Sequence, residues 1–368
     1  SVELALASIA SDLRQQYDTL IALFEQIFPA YYELKYQLRT SGITALQKQY
    51  LEADQSLLEY FVGDSTIFIF VADRQHYHVE TIKKDFPLDS LVDVIRHSLT
   101  DRHDWQAALS DARRNAAPVS YARCAYFLYE KLVAPVKNRL KNRLIIVPDG
   151  VLSYLPFEAL LTQMPAKAHR FADHAYLLQQ HAVGYCYSAT LWSEMQSKSY
   201  RKQPAGTLLG VAPFFTGDTT LLGELFSYTD AVRKKLEPLP FAGREVANIV
   251  KLMNGKALYG EKATKNAFLQ QAADYRILHL ATHGQANDKS GDYSFLAFGE
   301  NADSVDGGLL YVRDLYNCTF NADLVTLSAC ETGIGQLRRG EGIVSLARAF
   351  SFAGAKSIVT SLWSVNDD

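Results

Sequence analysis

The period of the apolar positions changes along this chain, and each change predicts a different kind of element. Near the start, Tyr17, Leu20, Ile21, Phe24, Ile27 and Phe28 recur at three- and four-residue spacing and make one apolar stripe on a helix. Pro29 ends that helix. A short helix is predicted over 32–35, and another from 44 to 61, stopped by Gly63. At Ser65 the pattern becomes β-branched and aromatic. Residues 66–71, the turn Asp73-Arg74-Gln75 and residues 77–82 read as a hairpin. Helical periods follow over 88–98, 105–113 and 120–132.

From Arg143 onward strands and helices alternate. Apolar runs at 144–147, 207–212, 257–259, 275–282, 324–327 and 356–362 read as strands. Residues 244–253 are amphipathic and helical, Thr264 caps a helix running toward Ala272, and 342–352 reads as a further helix. This alternation predicts an α/β fold, with a mostly parallel sheet covered by helices on both faces. In such sheets reactive groups sit at the carboxyl ends of strands. Two runs end in suggestive residues: 275–282 runs into His283-Gly284, and 324–327 runs into Ser328-Ala329-Cys330-Glu331-Thr332-Gly333.

Composition narrows the class. At 368 residues the chain is long enough for about two domains. Its 48% hydrophobic and 12% aromatic residues support a packed core. The net charge of −3 gives no electrostatic reason to expect nucleic-acid or acidic-membrane binding. No apolar run approaches the length of a transmembrane helix. The N-terminus opens on Ser1 without methionine and without a basic leader, so a longer protein is expected and a secretory signal is not. The four cysteines stand singly, which argues against a disulfide framework or a zinc site and fits a reducing cytoplasm.

His283 and Cys330 together supply the parts of a thiol nucleophile. A thiol attacks as thiolate, and a nearby imidazole can lower its pKa and later protonate a leaving amine. The oxyanion that develops needs fixed donors, and the amides of Gly284 and Cys330 are the natural candidates. The histidine stands about 50 residues upstream of the cysteine, the separation that caspase signatures show. Cys124 and Cys186 read as core, and Cys318 as a free thiol in a loop. A metal pair from His279 and His283 lacks an obvious third ligand, and no cofactor is expected.

At these residues the chain resembles a known family. His-Leu-Ala-Thr-His-Gly at 279–284, Leu-Ser-Ala-Cys-Glu-Thr-Gly at 327–333 and Ser-Leu-Trp-Ser-Val-Asn-Asp at 361–367 resemble the CHAT peptidases. These are caspase-like cysteine proteases, related to separases and often fused to TPR arrays. Leu58-Glu59-Tyr60-Phe61, Val147-Pro148-Asp149-Gly150, Leu155-Pro156-Phe157-Glu158 and 239–245 add to the likeness. The resemblance implies a caspase-like mostly parallel sheet flanked by helices. Its parts are an N-terminal TPR-like helical segment over 1–54, a pseudo-caspase-like half over 55–205 and a catalytic half over 206–368.

The resemblance also carries roles: Cys330 as nucleophile, His283 as general base, and Gly284 as an oxyanion donor. It implies that Ser361, Leu362, Trp363 and Ser364 line the substrate groove and pair with an extended peptide. Asp367 matches an aspartate that binds a basic side chain before the cut in separases, with Glu331 and Glu341 as substitutes. The implied function is a cytoplasmic cysteine endopeptidase acting on a protein substrate. Such an enzyme would be latent until an activating protein or ribonucleoprotein engages the helical segment. Family members normally continue with another helix and strand, so at Asp368 either the sequence is cut short or the chain is processed as caspases are between their subunits, and a sheet edge and part of the groove wall are expected to be missing. A non-catalytic scaffold on the same fold, or a thiol acyltransferase or amidase of small substrates, remains open on the residues alone.

Overall fold

The computed structural model describes residues 15–16, 19, 23, 40–100, 116–168, 170–200, 203–215, 236–287, 289–299, 308–329, 335–338 and 342–362. Two five-stranded sheets organise them. The first is built from β1 (Gln55–Val62), β2 (Thr66–Ala72), β3 (Tyr77–Lys83), β4 (Arg143–Val147) and β5 (Ala182–Tyr185), in the order β3-β2-β1-β4-β5. The hairpin strands are antiparallel, whereas β1, β4 and β5 run parallel. One face of this sheet carries Leu58, Tyr60, Ile67, Ile69 and Ile146. It packs on α1 (Leu88–Thr100) and α2 (Ala116–Leu132) through Val92, Ile95, Tyr121 and Leu128. Part of the opposite face, Leu57, Ala72 and Val147, packs on Leu46, Leu51 and Trp192 of α3 (Ala189–Ser197).

The second sheet uses β6 (Gly206–Ala212), β7 (Lys256–Tyr259), β8 (Tyr275–Ala281), β12 (Leu324–Ser328) and β15 (Ile358–Val359). Its order is β15-β12-β8-β6-β7, and every pairing is parallel. Short strands β9 (Gly284–Gln285), β10 (Phe295–Ala297) and β11 (Leu309–Tyr311) form a small antiparallel sheet just after β8. β13 (Gly335–Arg338) and β14 (Gly342–Ser345) form a two-stranded ribbon after β12. The helices here are α4 (Ala242–Met253), α5 (Lys265–Ala272), α6 (Val312–Leu315) and α7 (Leu346–Phe352).

On one face of this sheet Leu209, Val211, Leu278, Leu280, Val325 and Leu327 pack on α5 and α7 through Phe268, Ala349 and Phe350. On the other face Gly210, Ala212 and Ala281 are small, and α4 lies close against them. At Gly210 an added Cβ would come within 2.6 Å of Val246 Cγ1, so only glycine permits this approach.

Most elements fall where the pattern predicts them, and Thr264 caps α5 by accepting from the amide of Ala267. Residues 15, 16, 19 and 23 are helical, as expected. The elements predicted at 32–35 and 105–113 lie outside the described residues. Three expectations are corrected. The helix predicted over 44–61 stops at Tyr50, and Gln55–Val62 is strand β1. At its buried end β1 is covered on both faces, so its apolar residues do not alternate with polar ones and imitate a helical run. The helix predicted over 342–352 begins only at Leu346, capped by Ser345, because the first four residues pair with β13. The strand predicted over 356–362 is ladder-bonded only at Ile358 and Val359.

No helix among the described residues is long and apolar enough to cross a membrane.

Glu59, half-buried in the middle of β1, has its carboxyl raised above the ordinary value of 4.5 by burial. A raised folded-state pKa means that folding favours the protonated form. Glu59 therefore weighs least on stability below about pH 4.5 and progressively more as the pH rises through its folded value. Glu59→Gln is expected to raise the thermal midpoint at pH 7.5 and to leave it nearly unchanged at pH 4. Thermal scans of the two proteins at both pH values check this.

Candidate active site

The predicted site residues lie at the ends of two neighbouring strands. β8 and β12 are adjacent and parallel, with His279 opposite Thr326, Leu280 opposite Leu327 and Ala281 opposite Ser328. The ladder continues one step further, where the amide of Thr282 donates to the carbonyl of Ser328 at 3.3 Å. The two strands therefore finish at the same level, with His283 leaving one tip. Ala329, buried at the other tip, is the residue before Cys330. Cys330, Glu331, Glu341, Trp363, Ser364 and Asp367 lie outside the described residues.

His283 is half-buried. Its ring packs edge-on against Phe215, with centroids 4.8 Å apart. Its Nε2 lies 2.6 Å from the carbonyl of Glu237. A carbonyl can only accept, so Nε2 carries the proton and donates, which leaves Nδ1 as the basic nitrogen of the neutral ring. Thr282 anchors the turn by donating its hydroxyl to the carbonyl of Ala297, and the Ala297 amide donates to the carbonyl of His283 at 2.9 Å. That last bond fixes the phase of the ladder between β9 and β10. Gly284, opposite Leu296, occupies a non-hydrogen-bonded position, so its amide points away from β10. An amide placed this way, directly after His283, can donate to another acceptor.

The third chain segment at this edge follows β15. The hydroxyl of Ser361 donates to the carbonyl of Ala329 at 3.0 Å, which ties this segment to the residue before Cys330. Ser361 and Leu362 are half-buried. The structure therefore brings His283, Gly284, Ala329 and Ser361 to one edge of the second sheet.

Sequence reasoning passed over one group beneath this edge. His279, buried in β8, places Nε2 2.7 Å from a carboxylate oxygen of Glu245 on α4. The hydrogen bond from His279 holds the Glu245 carboxyl below its ordinary value, burial opposes this, and the Ser328 hydroxyl adds to the lowering. The group thus joins α4, β8 and β12 two residues short of position 330. Its signal was present as a polar position on the helix and a histidine inside an apolar strand, but only strand register shows that they meet. His279 and His283 have separate partners, so the two rings are not held together as a pair.

The other thiols are chemically quiet. Burial pushes Cys186 up to about 11, and burial with the nearby Asp314 carboxylate does the same for Cys318. Burial also raises Cys124. Each is a free cysteine held as the unreactive thiol near neutrality.

A model of the CHAT domain family matches residues 122–368, which is more than half of the chain, and the protein belongs to that family. Among curated proteins it is similar to tetratricopeptide repeat protein 28 of Mus musculus, 23% identical over 282 residues, covering 65% of this chain and 11% of the relative. The Homo sapiens protein of the same name is 25% identical over 283 residues, with 65% and 11% covered. The chain thus spans about a tenth of the length of these relatives. Family membership agrees with the parallel, helix-flanked sheet of a caspase-like fold.

Replacing Glu245 with Ala is expected to cost about 1–2 kcal/mol of stability at pH 7, the worth of a charge-assisted hydrogen bond discounted for partial exposure. The Glu245 carboxyl is depressed in the folded state, so this contribution is present above pH 4.5 and is lost as the pH falls through the lowered value. Denaturant titrations of both proteins at pH 7 and in mild acid measure the difference.

Proposed function

We propose that this chain is the protease-like part of a cysteine endopeptidase, with Cys330 as nucleophile, His283 as general base and the amides of Gly284 and Cys330 as oxyanion donors. The observation that carries the reading is the register of β8 and β12, which ends the strands leading to His283 and Cys330 side by side. The imidazole takes the thiol proton at Nδ1. The thiolate attacks a peptide carbonyl and forms a tetrahedral oxyanion, which the backbone amides stabilise. Collapse of the intermediate breaks the C–N bond, and the imidazolium returns its proton to the departing amine. Water then hydrolyses the thioester with the same histidine as base.

Residues 361–364 would pair with an extended substrate by β-augmentation. The Ser361–Ala329 hydrogen bond supports this assignment because it holds that segment beside the nucleophile-bearing strand. Asp367 would select a basic side chain in the substrate. The enzyme would work in a reducing cytoplasm and stay latent until a protein or ribonucleoprotein partner engages its N-terminal helical segment.

Contacts between the two halves support a regulated site. The Tyr187 hydroxyl of the first half lies 3.2 Å from the Ser345 hydroxyl that caps α7. β13 and β14 lie beside the turn Gly150–Tyr154 of the first half. The chain that follows Cys330 is therefore braced by the neighbouring half.

The test is competitive alkylation. Near neutral pH an iodoacetamide probe is expected to label Cys330 well ahead of Cys124, Cys186 and Cys318, and His283→Ala is expected to slow that labelling. With an activating partner present, the same variant should lower cleavage by about 10²–10⁴-fold, the usual worth of a general acid–base. Equal labelling of all exposed thiols would sink the catalytic reading. A Cys330→Ala variant that keeps every biological effect would favour a scaffold.

A further inference from the structure

Strand β3 is the outermost strand of the first sheet, and among the described residues nothing pairs with its outer edge. The hydrogen-bond phase of the hairpin says which backbone groups face that edge. The amide of Asp73 donates to the carbonyl of His76 at 3.0 Å, and that of Lys84 to the carbonyl of Ser65 at 2.8 Å. Opposed pairs alternate between bonded and non-bonded, so His78, Glu80 and Ile82 bond inward to β2. The N–H and C=O groups of Tyr77, Val79, Thr81 and Lys83 therefore point outward. The Thr81 amide has only a 3.4 Å contact with the side chain of its neighbour Glu80. Val79 and Tyr77 are 38% and 49% exposed. Proline and a bulge are common devices for blunting an edge, and β3 has neither, which leaves a template for another strand.

We propose that this edge pairs with the same edge of a second copy of the chain, antiparallel, about a two-fold axis at Val79. Outward groups must meet outward groups, so the axis passes through a residue and not between two. Strand β3 spans 77–83, so a centre at 79, 80 or 81 leaves at least five residues paired, and any other leaves three or fewer. Centring on Glu80 presses two carboxylates together at a close, non-bonded position. Centring on Thr81 sets His78 against Lys84. Centring on Val79 sets His78 of each copy against Glu80 of the other, Tyr77 against Thr81, and Val79 against Val79.

Within one strand His78 Nε2 already lies 3.2 Å from the Glu80 carboxylate. Across the axis this pair extends into a row of alternating imidazole and carboxylate groups on one face, while the two Val79 side chains meet on the other. That self-complementarity selects a second copy over an unrelated extended chain. Lys83 falls opposite the turn, past the last backbone pair. The joint is narrow beside a standard protein interface, so the dimer is expected to be reversible and concentration-dependent.

The test uses the full chain. In a hydrogen-bonded antiparallel pair the Cα atoms are about 5.5 Å apart, within the span of a disulfide. Val79→Cys is therefore expected to join two copies under mild oxidation, with the bond mapped to position 79 by peptide mass. Thr81→Cys is the control, because its two thiols would lie four residues apart along the joint, roughly 13 Å, and should not join. Sedimentation of the unsubstituted chain should show a dimer that grows with concentration. Glu80→Lys should weaken it about tenfold, the effect of losing two cross-strand pairs, and exchanging the two residues (His78→Glu with Glu80→His) should restore it. A chain that stays monomeric up to about 100 µM leaves the edge to an extended peptide of another protein and overturns the proposal. Equal joining at positions 79 and 81, joining at 81 alone, or an exchange variant as weak as Glu80→Lys overturns it as well. The substituted side chains lie at the surface, and a retained thermal transition confirms that each variant folds.

Discussion

The parallel register between β8 and β12 is the constraint on which the rest of this molecule depends. Side chains alternate along a strand, so a slip of one residue would exchange the two faces of the central strands. Leu278 and Leu280, if β8 slipped, or Val325 and Leu327, if β12 did, would leave the core formed with α5 and α7. They would meet α4, which approaches too closely for bulky residues, as the contact between Gly210 and Val246 shows. The same slip would carry His279 away from Glu245 and into apolar surroundings, leaving a buried polar ring without its partner. Burial thus holds the register, and the register sets where both strands end.

The second consequence concerns the join between the halves. Asp323, at the entrance to β12, accepts from Tyr200 and Arg276 and pairs with Lys356. Burial tends to raise its carboxyl, but these donors together hold it below its ordinary value. The start of the strand leading to Cys330 is thereby tied to the linker after α3 and to the approach to β15. The Tyr187–Ser345 contact ties the far side of the same region. A disturbance of the first half has a short physical route to both ends of the segment that contains position 330.

The first sheet shows how one architecture divides its surfaces. One face carries a large helical core, and the other carries a smaller core around Leu57, Ala72 and Val147, with Phe61 exposed toward its far end. The chain's relatives bear the name of tetratricopeptide repeat proteins.

The α/β class, the hairpin, most strands of the second sheet and the two strands that run toward positions 283 and 330 were legible in the residues. Each is written in local periodicity, in caps such as Thr264, or in a motif at a strand end. β1 was not legible, because a strand buried on both faces loses its alternation. Nor was β14, whose residues pair with β13 through backbone groups that leave no mark on residue type. The Glu245–His279 pair and the outward amide of Gly284 were beyond reach for the same reason: both depend on which strands lie side by side and in what phase. Local chemistry therefore determined which side chains stand at the ends of these strands. Long-range packing alone decided that their strands end together, because burial is a property of the folded sheet and not of any one segment.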